Sequence, residues 1–361
     1  MKKQRIILFT PFMSGYGGTE TVIKNLFISY NKLDNLKSSM KLVNIGGTID
    51  TTWTESIQDK KIVFMARPKL VRTIEYLFSL PFLLWYFVKT EKPDVVISTN
   101  PVMWTILFFI KKIMNEDYRV CAWYHYSLAS KPLKKIELHS FDQFLAISSG
   151  IEKQLIDLGI KDTKINVIFN PIFPTENIVY RSKNENKLEL IYVGRQMLDG
   201  QKNMRILFDA LSSVQFEWHL NVYGEGKNKE VEDYVRHLGL FNNVTFNGFQ
   251  QDLWENLTDV DALILTSNYE GLPMVLIEAI ANGIPVISSN CDTGPSDIVN
   301  SENGLLFQVD KKKDLIKQMN TFFLKKDEFN SHLIKKSINK FYAKQYVKRF
   351  IKVVTEEFEN N

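Results

Sequence analysis

Cysteine is nearly missing from this chain: Cys121 and Cys291 are the whole supply, with no CxxC pair and no histidine cluster beside either. That excludes a disulfide framework, offers no zinc-binding spacing, and fits a reducing cytoplasm. Internal repeats, low-complexity tracts, Ser-His-Asp spacings and metal-ligand spacings are absent too, and neither a metal nor a cofactor is expected. Long apolar stretches are also lacking. The runs Tyr76 to Val88 (YLFSLPFLLWYFV) and Val102 to Ile110 both fall short of the ~20 residues that cross a bilayer. At the N-terminus, Met1-Lys-Lys-Gln-Arg5 is followed by only a brief apolar segment, Ile6 to Phe9, with no small-residue cleavage site. It reads as a first strand, not a secretion signal.

What is present is ordinary for a globular protein of two domains: 361 residues, 45% hydrophobic and 24% charged. The net charge of +4 conceals an uneven distribution. Residues 1–170 carry 23 Lys+Arg against 15 Asp+Glu (+8), residues 171–310 carry 9 against 20 (−11), and residues 311–361 carry 13 against 6 (+7). Nucleic acid is not the expected partner of the basic half, because no recognition motif accompanies the charge. Its apolar runs are instead flanked by Arg67, Lys69, Arg72, Lys89, Lys111 and Lys112. This pattern suits a protein resting on an anionic membrane surface, although core helices of an α/β domain give the same signal.

Strand and helix patterns alternate in two series. Strands are expected at 6–9, 95–98, 119–123 and 143–147, with a helix at 19–30; the alternation restarts with strands at 188–193, 218–223, 244–246, 262–265 and 285–288 and helices at 203–211, 228–238 and 273–281. Such spacing implies parallel sheets with helices on both faces, whose ligands sit outside the carboxyl ends of the strands. Asn170-Pro171-Ile-Phe-Pro174 to about Asn186 reads as the linker. The expected domains are therefore 1–170 and 171–340, facing each other across a cleft, with a last segment at 341–361.

The richest motif is Ser267-Asn-Tyr-Glu270-Gly-Leu-Pro273-Met-Val-Leu-Ile-Glu278. A buried strand, a glycine turn and a proline-started helix expose backbone N–H groups and a positive dipole end, where a diphosphate binds without a metal. Glu270 and Glu278 would flank that anion and accept hydrogen bonds from sugar hydroxyls; the alternative is that one caps the helix and the other is a solvated helix residue. Arg195 and Lys202 follow a strand end and could neutralise a leaving diphosphate, or be surface charge. Gly15-Tyr-Gly17-Gly18 allows close backbone approach to a phosphate or merely a tight turn, since GxGxxG spacing is absent. His125 lies just past a strand end, a site position. Asp259-Val-Asp261 matches a metal-binding DxD pattern but precedes its strand, at the wrong end of the sheet.

Taken together, SGYGGTETVIKN (14–25), WYHYSL (123–128), AISSGIEKQL (146–155), YVGRQMLDGQKN (192–203), LTSNYEGLPMVLIEA (265–279) and GIPVISSNCDTGPSDIV (283–299) resemble the GT-B-fold retaining glycosyltransferases with an E-x7-E motif. The subgroup most similar is the UDP-galactose:lipopolysaccharide α-1,6-galactosyltransferases. The resemblance implies an N-terminal acceptor-binding Rossmann-like domain, a C-terminal UDP-sugar-binding one, and a final helix, roughly Phe341 to Phe358, crossing back. It implies that Gly17 and Gly18 present backbone to the donor's phosphate and sugar, and that His125 contacts the sugar near its 6-hydroxyl. Arg195 and Lys202 would hold the diphosphate, Glu270 the hexose hydroxyls, the Gly271-Leu272-Pro273-Met274-Val275 turn the distal phosphate, and Glu278 the ribose. Asn247-Gly248-Phe249 would border the uracil.

The expected activity is hexosyl transfer, galactose first, from a UDP-sugar to a cell-surface glycan or glycolipid such as lipopolysaccharide core. The enzyme would be cytoplasmic and peripheral on the inner face of the cell membrane. Alternatives are transfer of glucose or N-acetylhexosamine in capsule, exopolysaccharide or teichoic acid synthesis, a sugar-nucleotide 2-epimerase, and an inactive transferase-like binding subunit.

Overall fold

Strand–helix alternation builds two parallel sheets, one in each of two units. The computed structural model describes residues 3–15, 17–34, 36–224 and 229–355. Unit 1 comprises residues 1–173 and 342–361, unit 2 residues 174–341.

Unit 1 runs β1 (Gln4–Thr10), α1 (Gly18–Asn31), β2 (Ser38–Gly46), β3 (Lys60–Phe64), α2 (Lys69–Glu91), β4 (Val95–Ser98), α3 (Pro101–Met114), β5 (Arg119–Ala122), α4 (Lys135–Leu138), β6 (Gln143–Ala146), α5 (Ser149–Asp157) and β7 (Ile165–Val167). Its sheet order is β3-β2-β1-β4-β5-β6-β7, all parallel. Unit 2 runs β8 (Lys187–Val193), α6 (Met204–Leu211), β9 (Glu217–Tyr223), α7 (Lys229–His237), β10 (Val244–Gly248), α8 (Leu253–Asn256), β11 (Ala262–Leu265), α9 (Met274–Ala281), β12 (Val286–Ser289), α10 (Pro295–Ile298), β13 (Gly304–Phe307), α11 (Lys312–Lys325) and α12 (Ser331–Ser337). The order there is β10-β9-β8-β11-β12-β13, again parallel. Each order reverses once, between β1 and β4 and between β8 and β11, and a doubly wound sheet opens its ligand crevice at such a reversal.

Central strands such as β4 (VVIS) and β11 (ALIL) are buried on both faces, which is why they read as continuous apolar runs without alternation. Helix starts follow side-chain chemistry: Asn100 accepts from the amides of Val102 and Met103 ahead of α3, and Ser148 accepts from Ile151 at α5. The last helix, α13 (Ala343–Val354), buries Tyr346, Val347, Phe350, Ile351 and Val354 and packs on α1, while Arg349 donates two hydrogen bonds to the Ile168 carbonyl (3.1 and 2.8 Å).

Several elements differ from the sequence reading. Strands β2, β3, β7 and β13 were not expected; three of them are short strands or lie at a sheet edge, and β2 mixes serine and asparagine into its apolar run. The run at 76–88 belongs to a longer helix: α2 spans 23 residues, with Pro81 inside, and by length and composition is apolar enough to cross a membrane. Pro273 sits at the cap of α9, not in its first helical position, with φ −73° and ψ 95°. Asn228, expected to start a helix, and 356–358, expected in the last one, lie outside the described residues.

Candidate active site

In unit 2 the loops leaving β8 and β11 converge on one ion pair. Lys202 Nζ lies 2.6 Å from Glu270 Oε1, and the two side chains are only 12% and 11% exposed. Arg195 reaches the same loop through an amide: its guanidinium donates to Gln201 Oε1 (2.6 Å), and Gln201 Nε2 donates to the Tyr269 carbonyl (3.2 Å). Tyr192, buried at the end of β8, donates its hydroxyl to the Arg195 carbonyl (2.9 Å). Asn203 adds a further tie, its amide reaching Asn268 Oδ1 (3.0 Å) and Asp310 Oδ1 (2.8 Å). Two cations and one carboxylate are thus held at the topological reversal of this sheet.

The approach is close because it is glycine-lined. Gly194 donates to the Tyr223 carbonyl and Gly224 to that of Gly248, so the ends of β8, β9 and β10 are drawn together (2.9 Å each). A Cβ at Gly224 would overlap the Gly194 carbonyl. Asn247 and Gly248 lie in β10, with Asn247 Nδ2 on Asn221 Oδ1 (3.1 Å), and Phe249 projects into solvent.

Gly271, Leu272 and Pro273 lead into α9. No side chain caps this start, and the first helical bond is Leu276 N–H to the Pro273 carbonyl (3.1 Å), so the Met274 and Val275 amides remain open to an anion. Glu278 sits one face along; burial raises its carboxyl above the ordinary 4.5, opposed by a hydrogen bond from the Trp254 side chain. Thr293 hydrogen-bonds the Glu270 carbonyl, and the neighbouring Cys291 thiol is pushed up to about 12, first by burial and then by the Glu270 charge.

In unit 1, Gly17 and Gly18 open α1 beyond β1. Glu20, 5% exposed, holds their loop from behind, accepting from Ser14 Oγ and the Gly15 amide (3.0 Å each); a Cβ at Gly17 would stand 2.5 Å from its Oε2. His125 follows β5, its ring 4.7 Å from that of Trp123, and its Nε2 is buried without a hydrogen-bond partner. Burial lowers its pKa to about 3, so the ring is neutral at physiological pH.

The structure therefore gathers Arg195, Lys202, Glu270, the 271–275 turn and Glu278 within unit 2, and places Gly17, Gly18 and His125 at strand ends of unit 1. Asp261 is a structural anion at the opposite end of its strand: it accepts from the Glu189 amide (2.8 Å) and lies 3.9 Å from Lys326. The sequence reading missed Gln201, Glu20 and Asn203. Only a polar residue next to a flagged cation or glycine could have marked them.

Residues 175–340 match the family described as glycosyl transferases group 1, and residues 51–176 that described as glycosyltransferase family 4. The chain is 32% identical to the lipopolysaccharide 1,6-galactosyltransferase of Escherichia coli K12, over 97% of this chain and 98% of that one. It is 30% identical to the enzyme of the same name from Salmonella typhimurium LT2, over 96% and 97%. The solved apo form of the lipopolysaccharide outer core galactosyltransferase WaaB is similar with a TM-score of 0.85 and 28% identity, covering 98% of this chain and 100% of that one.

Proposed function

The chain belongs to the group 1 glycosyltransferases, and from that premise we propose that it moves a hexose, galactose first, from a UDP-sugar to lipopolysaccharide core with retention of anomeric configuration. The observation that carries this reading is the Lys202–Glu270 pair, set beside Arg195 and the uncapped start of α9. In the proposed reaction the anomeric C–O bond to UDP breaks, and Arg195, Lys202 and the Met274 and Val275 amides take up the charge that develops on the diphosphate. The acceptor hydroxyl forms the new bond on the same face and passes its proton to the departing phosphate oxygen. Glu270 holds hexose hydroxyls, Glu278 the ribose, and Asn247-Gly248-Phe249 the uracil. In unit 1, Gly17, Gly18 and the neutral His125 are the proposed contacts of the transferred sugar.

We place the enzyme on the inner membrane face through α2 and α3. Leu77 and Phe78 are 73% and 77% exposed, and Leu70, Phe82 and Ile113 are also open to solvent. Although α2 is long enough to span, its Leu80, Leu84, Phe87 and Val88 are buried in unit 1, so the helix is already committed to the fold on one face and would lie in the interface, not cross it. The test of the reaction is UDP release across a panel of UDP-hexoses, alone and with lipopolysaccharide lacking the transferred sugar. Release with UDP-galactose that disappears in Glu270→Ala and Lys202→Ala supports the assignment; turnover intact in both variants overturns it.

A further inference from the structure

Resting on that reading, we propose that Arg72 recognises a phosphate on the acceptor and so sets acceptor specificity. Its guanidinium carbon lies over the Phe12 ring, 3.6 Å from the centroid. Nη1 donates to the Arg67 carbonyl at 2.8 Å and is 3.5 Å from that of Ala66. No carboxylate pairs with it among the described residues. Elsewhere in unit 1, Lys41 pairs with Glu91, Lys89 with Glu116 and Lys111 with Asp142. Stacking and carbonyl bonds fix the cation in place without neutralising it, which leaves the rest of its planar fork for an oxyanion.

The platform is anchored at the ligand edge of the sheet. Phe12 follows β1, and its amide donates to the Tyr76 hydroxyl (2.7 Å), which in turn donates to the Ile45 carbonyl at the end of β2. Gly46, with φ +117°, closes this joint: a Cβ there would overlap the Tyr76 oxygen. Tyr76 is one helical turn after Arg72 on α2, so the joint that pins the helix across β1 and β2 also fixes the guanidinium beside the loop that leads to Gly17 and Gly18. Arg67 and Lys69 precede it by five and three positions, and Glu75 follows by three with its carboxylate on the Ala66 amide (2.7 Å), so positive charge stays in excess, which suits a phosphate better than a single carboxylate. A lipid headgroup offers the same phosphate, and the experiment separates the two sources.

Arg72→Gln and Arg72→Lys are compared with the parent on lipopolysaccharide lacking the transferred hexose, intact or stripped of phosphate with hydrofluoric acid. Expected is a 10- to 100-fold rise in acceptor KM for Arg72→Gln on the intact acceptor, the loss of about one charge-assisted bidentate contact, partial recovery in Arg72→Lys, and no difference between the proteins on the stripped acceptor. UDP affinity by calorimetry should be the same in all three. An equal KM rise on both acceptors with a lowered melting temperature makes Arg72 structural and overturns the inference. So does reduced flotation on phosphatidylglycerol vesicles with unchanged acceptor KM. If the parent turns over no UDP-sugar, the donor reading fails by itself; calorimetric binding of the intact and stripped acceptors then still decides on Arg72.

Discussion

Glu270→Gln should destabilise the empty enzyme and yet leave UDP binding as tight as before, or tighter. At 2.6 Å and an effective dielectric near 20, the Lys202–Glu270 attraction is about 6 kcal/mol, much of it offset by the desolvation of two ions. Removing one partner strands the other charge in a mostly enclosed position. The expected cost is about 3 kcal/mol of folding stability, the low end for buried pairs because roughly a tenth of each side chain still meets water. Donor binding presents Lys202 with a second anion. In the parent, the diphosphate must draw the ammonium from Glu270; in Glu270→Gln that competition is gone, so UDP affinity holds or rises up to about tenfold. Lys202→Met loses the contact itself, and UDP affinity should fall about 10- to 100-fold. UDP-galactose transfer should fall by a similar factor in Glu270→Gln, because the hexose loses its acceptor carboxylate. Urea unfolding and calorimetric titration with UDP measure both quantities. If Glu270→Gln weakens UDP as much as Lys202→Met does, the division of labour argued for this pair is wrong.

Four further outcomes follow from the same geometry. His125 is held neutral with a pKa of about 3 against an ordinary 6.5, so the unfolded chain binds the extra proton and stability is lost as pH falls below 6.5; the slope is up to about 1.4 kcal/mol per pH unit, and His125→Gln should flatten it in urea unfolding at pH 7.5 and 5.5. Glu278, raised by burial, loses its carboxylate at a higher pH than a surface glutamate; affinity for UDP-galactose, whose esterified diphosphate takes up no proton at about pH 6 as the terminal phosphate of UDP does, should decline on acidification, and Glu278→Gln should flatten that dependence in calorimetry. Gly224→Ala forces a methyl into the Gly194 carbonyl at φ +145°, which should cost about 1–3 kcal/mol in chemical unfolding and weaken UDP by displacing the Arg195 loop. Leu77→Glu with Phe78→Glu removes two exposed apolar side chains of α2, and flotation on anionic vesicles should be lost while UDP affinity stays unchanged.

How much of this the sequence disclosed depended on whether a feature was local. The buried strands β4, β5, β6 and β11 were legible as short apolar runs, and α9 as a periodic segment after Gly271, since each signal lies within a dozen residues. The edge strand β3 (KKIVF) was not, because one of its neighbours is solvent and its apolar content is three residues. The first turns of α2 escaped notice for a related reason: Lys69, Arg72 and Thr73 interrupt the apolar pattern, while the Tyr76 hydroxyl is tied to the Phe12 amide and the Ile45 carbonyl and the later Leu80 and Leu84 are buried. At the candidate site the residue types were readable but their pairing was not. Lys202 and Glu270 are 68 positions apart, and nothing in either neighbourhood announces a 2.6 Å contact. Gln201 was invisible altogether, since a loop amide becomes informative only when it is seen between a guanidinium and a carbonyl.

The charge distribution sharpens what each half must do. Residues 171–310 carry −11, yet the proposed donor is itself an anion. Long-range attraction therefore cannot account for its capture there, and at physiological ionic strength fields beyond about 8 Å are largely screened in any case. Binding must come from donors fixed at contact distance: Lys202 already posed by Glu270, Arg195 posed by Gln201, and helix amides that need no counter-ion. Posed groups lose little freedom on binding, which is how a net-negative unit can hold a diphosphate without an excess of cations. Residues 1–170, at +8, face the opposite demand. A membrane surface or a large glycolipid presents many weak, exposed anionic contacts, each worth about 1 kcal/mol and each sensitive to salt, so there number and placement of cations matter more than their rigidity. Arg72 combines the two modes within that half: fixed on Phe12 and hydrogen-bonded to backbone, it has the posed character of the donor-site cations.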